Sequence, residues 1–249
     1  MTPRVVAIVQ ARMGASRLPG KVLFPLGGRP VLAHVVERIR AASAVDEVVV
    51  ATTVAPLDDS VANLGSKLGA TVFRGSESDV LSRYARAAEA SNADVVVRIT
   101  ADCPLIDPDV LAEMLERFHR LRTGAEPADV LTNARVRTFP RGLDVEIFTR
   151  EALGAADAEA IALREREHVT PFLYENPGRF HIVDHLGRVD YSKYRLTLDT
   201  AEDYELLSRI FGDKKTSDAS DLRLSRVVDV LMKNPAWISI NAHIRQKAV

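Results

Sequence analysis

The chain has a single cysteine among its 249 residues, Cys103. That excludes an internal disulfide and any structural zinc cluster built on thiolates. It also lacks an excess of either charge: 33 Lys and Arg stand against 34 Asp and Glu, so no overall field draws it to nucleic acid or to an anionic membrane. No apolar run reaches the roughly 18 to 20 residues that span a bilayer. The apolar stretch before Gln10 is about six residues, too short for a secretory signal. These absences point to a soluble, cytoplasmic protein with neither nucleic acid nor membrane as partner. Core material is plentiful, because 47% of the residues are apolar. The length suits one large α/β domain, or a domain with a small appendage.

The first half alternates short apolar runs with helical patterns. Strands are expected at Val5–Val9, Glu47–Thr52, Thr71–Phe73 and Asp94–Ile99, and helices at Pro30–Arg40, Asp58–Leu68, Asp79–Ala90 and Pro108 to about Arg120. Gly69 suits the position just past a helix end. Such alternation implies βαβ units, a mostly parallel sheet and helices on both faces. The near-continuous apolar strands agree, since strands of such a sheet are buried on both sides. The second half is less regular. A loop at Arg122–Pro127 precedes strands at Asp129–Asn133 and Leu143–Phe148, the latter with one polar face. A charged helix over Ala160–Glu175, strands at Phe180–Val183 and Tyr194–Leu198, and a helix at Ala201–Phe211 follow. Gly212–Asp221 reads as a linker and Leu222–Lys233 as a last helix.

The chemistry concentrates between the first strand and the first helix, in Gln10-Ala-Arg-Met-Gly-Ala-Ser-Arg-Leu-Pro-Gly-Lys21. In an open α/β sheet, ligands bind beyond the carboxyl ends of the strands, where this loop lies. Arg12, Arg17 and Lys21 supply cations, Gly14 and Gly20 permit close backbone approach, and Ser16 adds a hydroxyl. That combination suits a triphosphate better than it suits a merely solvated basic loop. Neither GxxxxGK[ST] nor GxGxxG is present, so a P-loop NTPase and a Rossmann dehydrogenase are both disfavoured.

Asp102 and Asp199 each fall just past a predicted strand and so can converge on one crevice. Magnesium takes one or two carboxylates beside phosphate oxygens and water. The alternative for Asp102 is a turn residue before Pro104. For Asp199 it is a helix cap, because Asp199-Thr-Ala-Glu202 has capping-box spacing. Asp107-Pro-Asp109 forms a DxD, which would hold the metal of a nucleotide-sugar-dependent glycosyltransferase, yet it opens a helix and reads as an N-cap. Cys103 has no histidine partner in the pattern and reads as a small buried hydrophobe. His168 is open between a structural hydrogen bond and a substrate contact.

The run R-M-G-A-S-R-L-P-G-K resembles the signature of cytidylyltransferases that activate sugar acids. The resemblance recurs at Gly75–Tyr84, Arg98–Asp107, Pro140–Phe148, Arg166–Phe172 and Arg195–Asp203, and is nearest to the spore-coat polysaccharide branch. It implies a Rossmann-like three-layer α/β/α nucleotidyltransferase fold over residues 1–211, an acceptor and dimerisation excursion near 134–185, and a helical extension over 212–249. It implies CTP and a sugar-acid acceptor as partners, Mg²⁺ on Asp102 and Asp199, and a homodimer. The nucleotide would meet Gln10, Ala11, Arg12, Gly14, Ser16, Arg17 and Lys21, with Arg74, Gly75, Asp79 and Arg83 near cytosine and ribose. The acceptor would meet Arg141, Asp144, Glu146 and His168. Arg12, Arg17, Lys21 and Asp102 would carry the catalysis. Leu18-Pro-Gly-Lys21 leans to the ketodeoxyoctonate type, whereas Thr100-Ala-Asp-Cys-Pro104 departs from that type's Gly-Asp-Glu-Pro. The acceptor is therefore left open.

Overall fold

A computed structural model describes residues 2–212 and 222–246; of the expected linker, only Gly212 lies among them. A seven-stranded sheet runs in the order β5-β4-β1-β6-β8-β7-β9. Its strands are β1 (Val5–Gln10), β4 (Glu47–Thr53), β5 (Thr71–Gly75), β6 (Val95–Thr100), β7 (Val130–Thr132), β8 (Glu146–Thr149) and β9 (Ile182–Asp184). β1 pairs parallel with both β4 and β6, whereas β8 runs antiparallel to β6 and β7. A small ribbon of β2 (Pro25–Leu26) and β3 (Arg29–Pro30) stands apart.

The apolar run of β1 explains the layering. Val5, Ala7 and Val9 face one core, and Val6 and Ile8 the other, all essentially buried. Helices α1 (Val31–Arg40), α4 (Pro108–Arg122), α8 (Ala201–Gly212) and α9 (Leu224–Lys233) contribute to the first core. Helices α3 (Val80–Ala90) and α5 (Arg150–Glu159) contribute to the second. Each such buried Val, Leu or Ile contributes about 1.5–3 kcal/mol of transfer free energy. The result is the three-layer α/β/α arrangement that the alternating pattern implied.

In the first half the expected elements stand within two residues of their places. Gly69 follows α2 (Asp59–Lys67) at φ +73°, as a helix-ending glycine does. Pro30, however, precedes α1 with extended backbone instead of sitting in its first turn.

The second half departs further. The expected helix over Ala160–Glu175 is two short ones, α6 (Leu163–His168) and α7 (Pro171–Glu175). Pro171 lacks the N–H an unbroken helix needs, and Val169 reverses the chain at φ +72°. Before them α5, capped by the Thr149 hydroxyl accepting from Ala152 N, has no counterpart in the sequence reading. Tyr194–Leu198 is extended but not a strand; it makes one isolated parallel bridge, Arg195 to Arg141. A short α10 (Pro235–Ile238) follows α9. Among the described residues no helix is long and apolar enough to cross a membrane.

Candidate active site

With β4 on one side of β1 and β6 on the other, the strand order reverses at β1. That opens a crevice beyond the carboxyl ends of β1 and β6. Three segments meet there. The first, Gln10–Lys21, folds back on itself: the Met13 carbonyl accepts from Ala15 N and Gly20 N, each at 2.9 Å. Met13 N donates to Asp58 Oδ1 at 2.7 Å, and Asp58 is itself buried and takes the Thr53 hydroxyl. Gly20, at φ +74°, then starts the tight turn Lys21–Leu23 with Lys21 buried. The second segment, Thr100–Asp107, follows β6. The third, 195–200, is tied to it by Leu198 N donating to the Asp102 carbonyl at 2.8 Å.

These ties bring three charges from distant parts of the chain to one point. Lys21 Nζ lies 2.7 Å from Asp102 Oδ2 and 2.7 Å from Asp199 Oδ1. Asp102 Oδ1 accepts from the Thr100 hydroxyl at 2.6 Å. Asp199 Oδ2 faces Arg17 at 2.9 Å and Arg195 at 3.1 Å. Burial pulls the Lys21 ammonium down, but Asp102 and Asp199 outweigh it and hold its pKa above the ordinary value. Burial likewise pushes the Asp102 carboxyl up, and Lys21, by charge and hydrogen bond, holds it down to about 2. Lys21 and Asp102 are both charged at neutral pH.

The capping alternative for Asp199 is not what the chain does. Thr200 and Asp203 form the reciprocal cap. Asp203 Oδ2 accepts from Asp199 N at 2.9 Å and Thr200 N at 3.1 Å, while the Thr200 hydroxyl accepts from Asp203 N at 3.3 Å. The Asp199 side chain is left for the crevice. Asp107, by contrast, does cap: its Oδ1 accepts from Asp109 N at 2.8 Å, and its Oδ2 takes Leu224 N at the start of α9. Asp109 faces Arg223 at 3.3 Å. The DxD is a joint between helices and does not line the cavity that opens from Lys21, Asp102 and Asp199.

A cavity of about 750 Å³ opens from Lys21, Asp102 and Asp199. Of the residues singled out from sequence, Gln10, Ala11, Arg12, Ser16, Arg17, Arg83, Arg141, Asp144, Glu146 and His168 also line it. Gly14, Arg74, Gly75 and Asp79 do not. Gly14 is exposed, and a Cβ there would stand 3.4 Å from Glu77 Oε1. Arg74 braces the turn after β4, donating to the Thr53 and Ala55 carbonyls and pairing with Asp59. Gly75 pairs with Thr53 within the sheet. Asp79 caps α3 through Ser82 N and binds Arg166 at 2.7 Å. Arg74, Gly75 and Asp79 are held by these contacts.

Glu146 needs a narrower reading than an acceptor contact. It stands opposite Arg98 across the β6–β8 pair and forms a buried ion pair with it. It also accepts from the Thr170 and Tyr174 hydroxyls. Its carboxylate is thus committed to the wall of the cavity. Asp144 pairs with Arg137 at 2.5 Å and accepts from Gly142 N. Burial lowers the His168 imidazole below its ordinary value, so it stands neutral in the wall. Burial, then Asp102 and Asp144, push the Cys103 thiol well above its ordinary range, which leaves no thiolate to act as nucleophile.

The sequence reading missed Arg98, Arg135, Arg137, Arg164, Thr197 and Gln246, which also line the cavity. Arg98 is the one charge in the apolar run of β6 and was a usable signal; Arg164 lies in the short helix α6, and the others lie outside helices and strands with no periodicity to mark them. Arg141 is half-buried at this end, and no side-chain hydrogen bond or ion pair engages it among the described residues.

A divalent cation fits the donors present. Asp102 and Asp199 offer hard oxygens at one point. No cluster of three or more His, Cys, Asp or Glu able to hold a metal exists among the described residues. Two carboxylates suit magnesium arriving with phosphate oxygens and water.

Residues 6–233 match the model of the cytidylyltransferase family. The spore coat polysaccharide biosynthesis protein SpsF of Bacillus subtilis is 33% identical over 93% of this chain and 95% of its own. A 3-deoxy-manno-octulosonate cytidylyltransferase of Anaeromyxobacter sp. is 31% identical over 81% of this chain and 94% of its own. Among solved structures, a cytidylyltransferase from Leptospira borgpetersenii superposes with a TM-score of 0.88 at 37% identity, covering 99% of this chain and 100% of that one.

Proposed function

The chain belongs to the cytidylyltransferase family, and from that premise we propose that it transfers CMP from CTP to a sugar acid of the nonulosonic type, releasing pyrophosphate, in the synthesis of a surface polysaccharide or other glycan. The observation that carries this is the meeting of Lys21, Asp102 and Asp199 within 2.7 Å contacts at the mouth of one cavity. The arginines Arg135, Arg137, Arg141 and Arg164 line that same cavity.

Arg12, Arg17 and Lys21 hold the β- and γ-phosphates, and Gln10, Ala11, Ser16 and Arg83 bound the nucleotide. Asp102 and Asp199 would hold Mg²⁺, which supplies positive charge for the oxygens on which charge grows. The acceptor hydroxyl, giving its proton to solvent water, attacks the α-phosphorus in line. A new P–O bond forms as the bond to the bridging oxygen breaks, and pyrophosphate leaves with the electron pair into the Arg12, Arg17 and Lys21 cluster. Catalysis of this kind is positioning and electrostatic stabilisation, with no covalent intermediate required.

Arg141 is the group we assign to the acceptor carboxylate, because it is a cation in the cavity with no protein anion bound to it. The names of the Bacillus and Anaeromyxobacter relatives support a polysaccharide pathway and a sugar-acid acceptor. A homodimer is part of the reading. Ile161 and Leu163 are exposed just ahead of the α6 residues Arg164 and His168, which line the cavity, so a second copy covering them would lie at its rim.

The test is pyrophosphate release from CTP across a panel of sugar acids, with ATP, GTP and UTP as controls. Release with CTP and a nonulosonic or octulosonic acid is expected. Release with UTP equal to that with CTP, or with no sugar acid at all, would overturn the reading.

A further inference from the structure

The C-terminal segment beyond the catalytic sheet is fastened to both loops that carry the paired aspartates. Its near end is fixed to the Asp102 loop. The Arg38 guanidinium donates to the carbonyls of Ile106, at 2.7 Å, and of Leu222. Asp107, whose other oxygen caps α4, takes Leu224 N.

Its far end is fixed to the Asp199 loop. Asn241 is buried, and its Nδ2 donates to the Arg195 carbonyl at 3.0 Å and to Asp203 Oδ1 at 2.8 Å. Gln246 Oε1 accepts from Arg195 Nη1 at 2.9 Å. A guanidinium carries donors only, so the Gln246 amide has one orientation available toward it. The remaining donors of Arg195 go to Asp203 at 2.8 and 2.9 Å and to Asp199 Oδ2 at 3.1 Å. Arg195 is 9% exposed and Asp203 fully buried. The direction of the guanidinium is therefore set from three sides: Asp203, Gln246 and the backbone carbonyl that Asn241 holds. Asp199 is aimed by that guanidinium.

We infer that residues 222–246 are a working part of the active site, with Asn241 and Gln246 as positioning residues that orient Arg195 and, through it, the Asp199 carboxylate toward the divalent cation. This rests on the proposed role of Asp199 as a metal ligand. Outer contacts of this kind govern metal affinity because they fix the ligand's orientation and the oxygens it has left to offer. Gln246 also lines the cavity, so the segment reaches the substrate space as well as the metal loop.

The experiment compares wild type, Gln246→Ala, Gln246→Glu and Asn241→Asp in the full-length protein. Mn²⁺ binding in the presence of CTP is followed by electron paramagnetic resonance, and pyrophosphate release is measured against Mg²⁺ concentration. Gln246 is exposed, so its truncation should leave the melting temperature unchanged. Asn241→Asp keeps the shape and removes both donors. Both variants should bind Mn²⁺ about tenfold more weakly, with activity recovered at high Mg²⁺. Gln246→Glu, which still accepts from Arg195, should bind Mn²⁺ more tightly than Gln246→Ala. Wild-type Mn²⁺ affinity in both Gln246→Ala and Asn241→Asp would overturn the inference, as would a wild type that binds no Mn²⁺ with CTP. The titration needs no acceptor. A wild type that binds Mn²⁺ and CTP but transfers to none of the sugar acids would therefore remove the acceptor assignment while leaving the positioning role in place.

Discussion

Four aspartates near the crevice look alike in sequence and differ in what surrounds them. Asp102 and Asp199 share the Lys21 ammonium at 2.7 Å, whereas Asp107 caps α4 and holds α9, and Asp109 reaches Arg223 from an exposed position. An exposed pair such as Asp109–Arg223 is worth about 0–1 kcal/mol, so Asp109→Asn should leave both stability and turnover near wild type. Asp199→Asn should cost several kcal/mol of transition-state stabilisation, because it removes one of two carboxylates proposed for the cation. Since Thr200 and Asp203 make the helix cap, the Asp199 variant keeps that cap, and any fall in its melting temperature measures the lost ion pairs with Lys21, Arg17 and Arg195. Pyrophosphate-release kinetics beside thermal melts check both. An active Asp199→Asn together with a well-folded, inactive Asp109→Asn would transfer the metal to the DxD. At this scale the loop residues Arg12, Arg17 and Lys21 were legible because three cations and two glycines follow a strand. Arg74 and Asp79 misled because their types suit a nucleotide equally well, and only their partners showed them braced against carbonyls and Arg166.

Between elements, the decisive packing is of 140–145 against 194–198. Gly142 sits at φ +104°, and a Cβ there would stand 2.5 Å from the Leu196 carbonyl carbon and the Thr197 nitrogen. That contact is with backbone, which has no side chain to swing away. The same extended segment carries Leu198 N to the Asp102 carbonyl and ends at Asp199. Gly142→Ala should therefore destabilise by about 1–3 kcal/mol and reduce kcat in the molecules that remain folded. Chemical denaturation read together with turnover tests it; a variant as stable and as active as wild type would show that the two segments part freely. The parallel strands β1, β4 and β6 were legible as apolar runs. The Tyr194–Leu198 run alternates apolar and polar residues as a strand would, but its one bridge is the isolated pairing of Arg195 with Arg141. Propensity described its extended shape and could not supply the neighbour that would have made it a strand. The break at Val169 was readable in part, since Pro171 stands one residue beyond Thr170 and ends any continuous helix.

Across the whole molecule, titration follows from burial. Burial lowers His34, His168 and His185 below their ordinary value. The unfolded chain, with histidines near pH 6.5, therefore binds protons more readily than the folded one. Stability should fall as pH drops from about 7 to about 5. Asp102, held down to about 2, contributes stability above its unfolded value near 3.9 that is lost only as pH falls through its folded value. Lys21, held above its ordinary value, contributes below about 10.4, and that is lost as pH rises through its folded value. Melting temperatures taken from pH 7 to 5 check the histidine effect; a flat profile would mean these side chains gain protons without cost in the fold.

The sequence by itself determined the parallel half of the sheet, since runs such as Val5–Val9 must be covered on both faces. It also placed the cationic loop Gln10–Lys21, whose three cations and two glycines lie within one connection. Asp102 and Asp199 were expected together from their places after predicted strands; only the tertiary structure decided what holds them, bringing both to the Lys21 ammonium at 2.7 Å. Asp102 and Asp199 are almost a hundred residues apart and no local pattern joins them. Their meeting depends on the Leu198 to Asp102 hydrogen bond, the Lys21 charge between them, and a C-terminal segment that holds Arg195 from outside the sheet. Local periodicity describes neighbours within a few residues, whereas a charge cluster of this kind is stabilised by partners that the fold alone brings within reach.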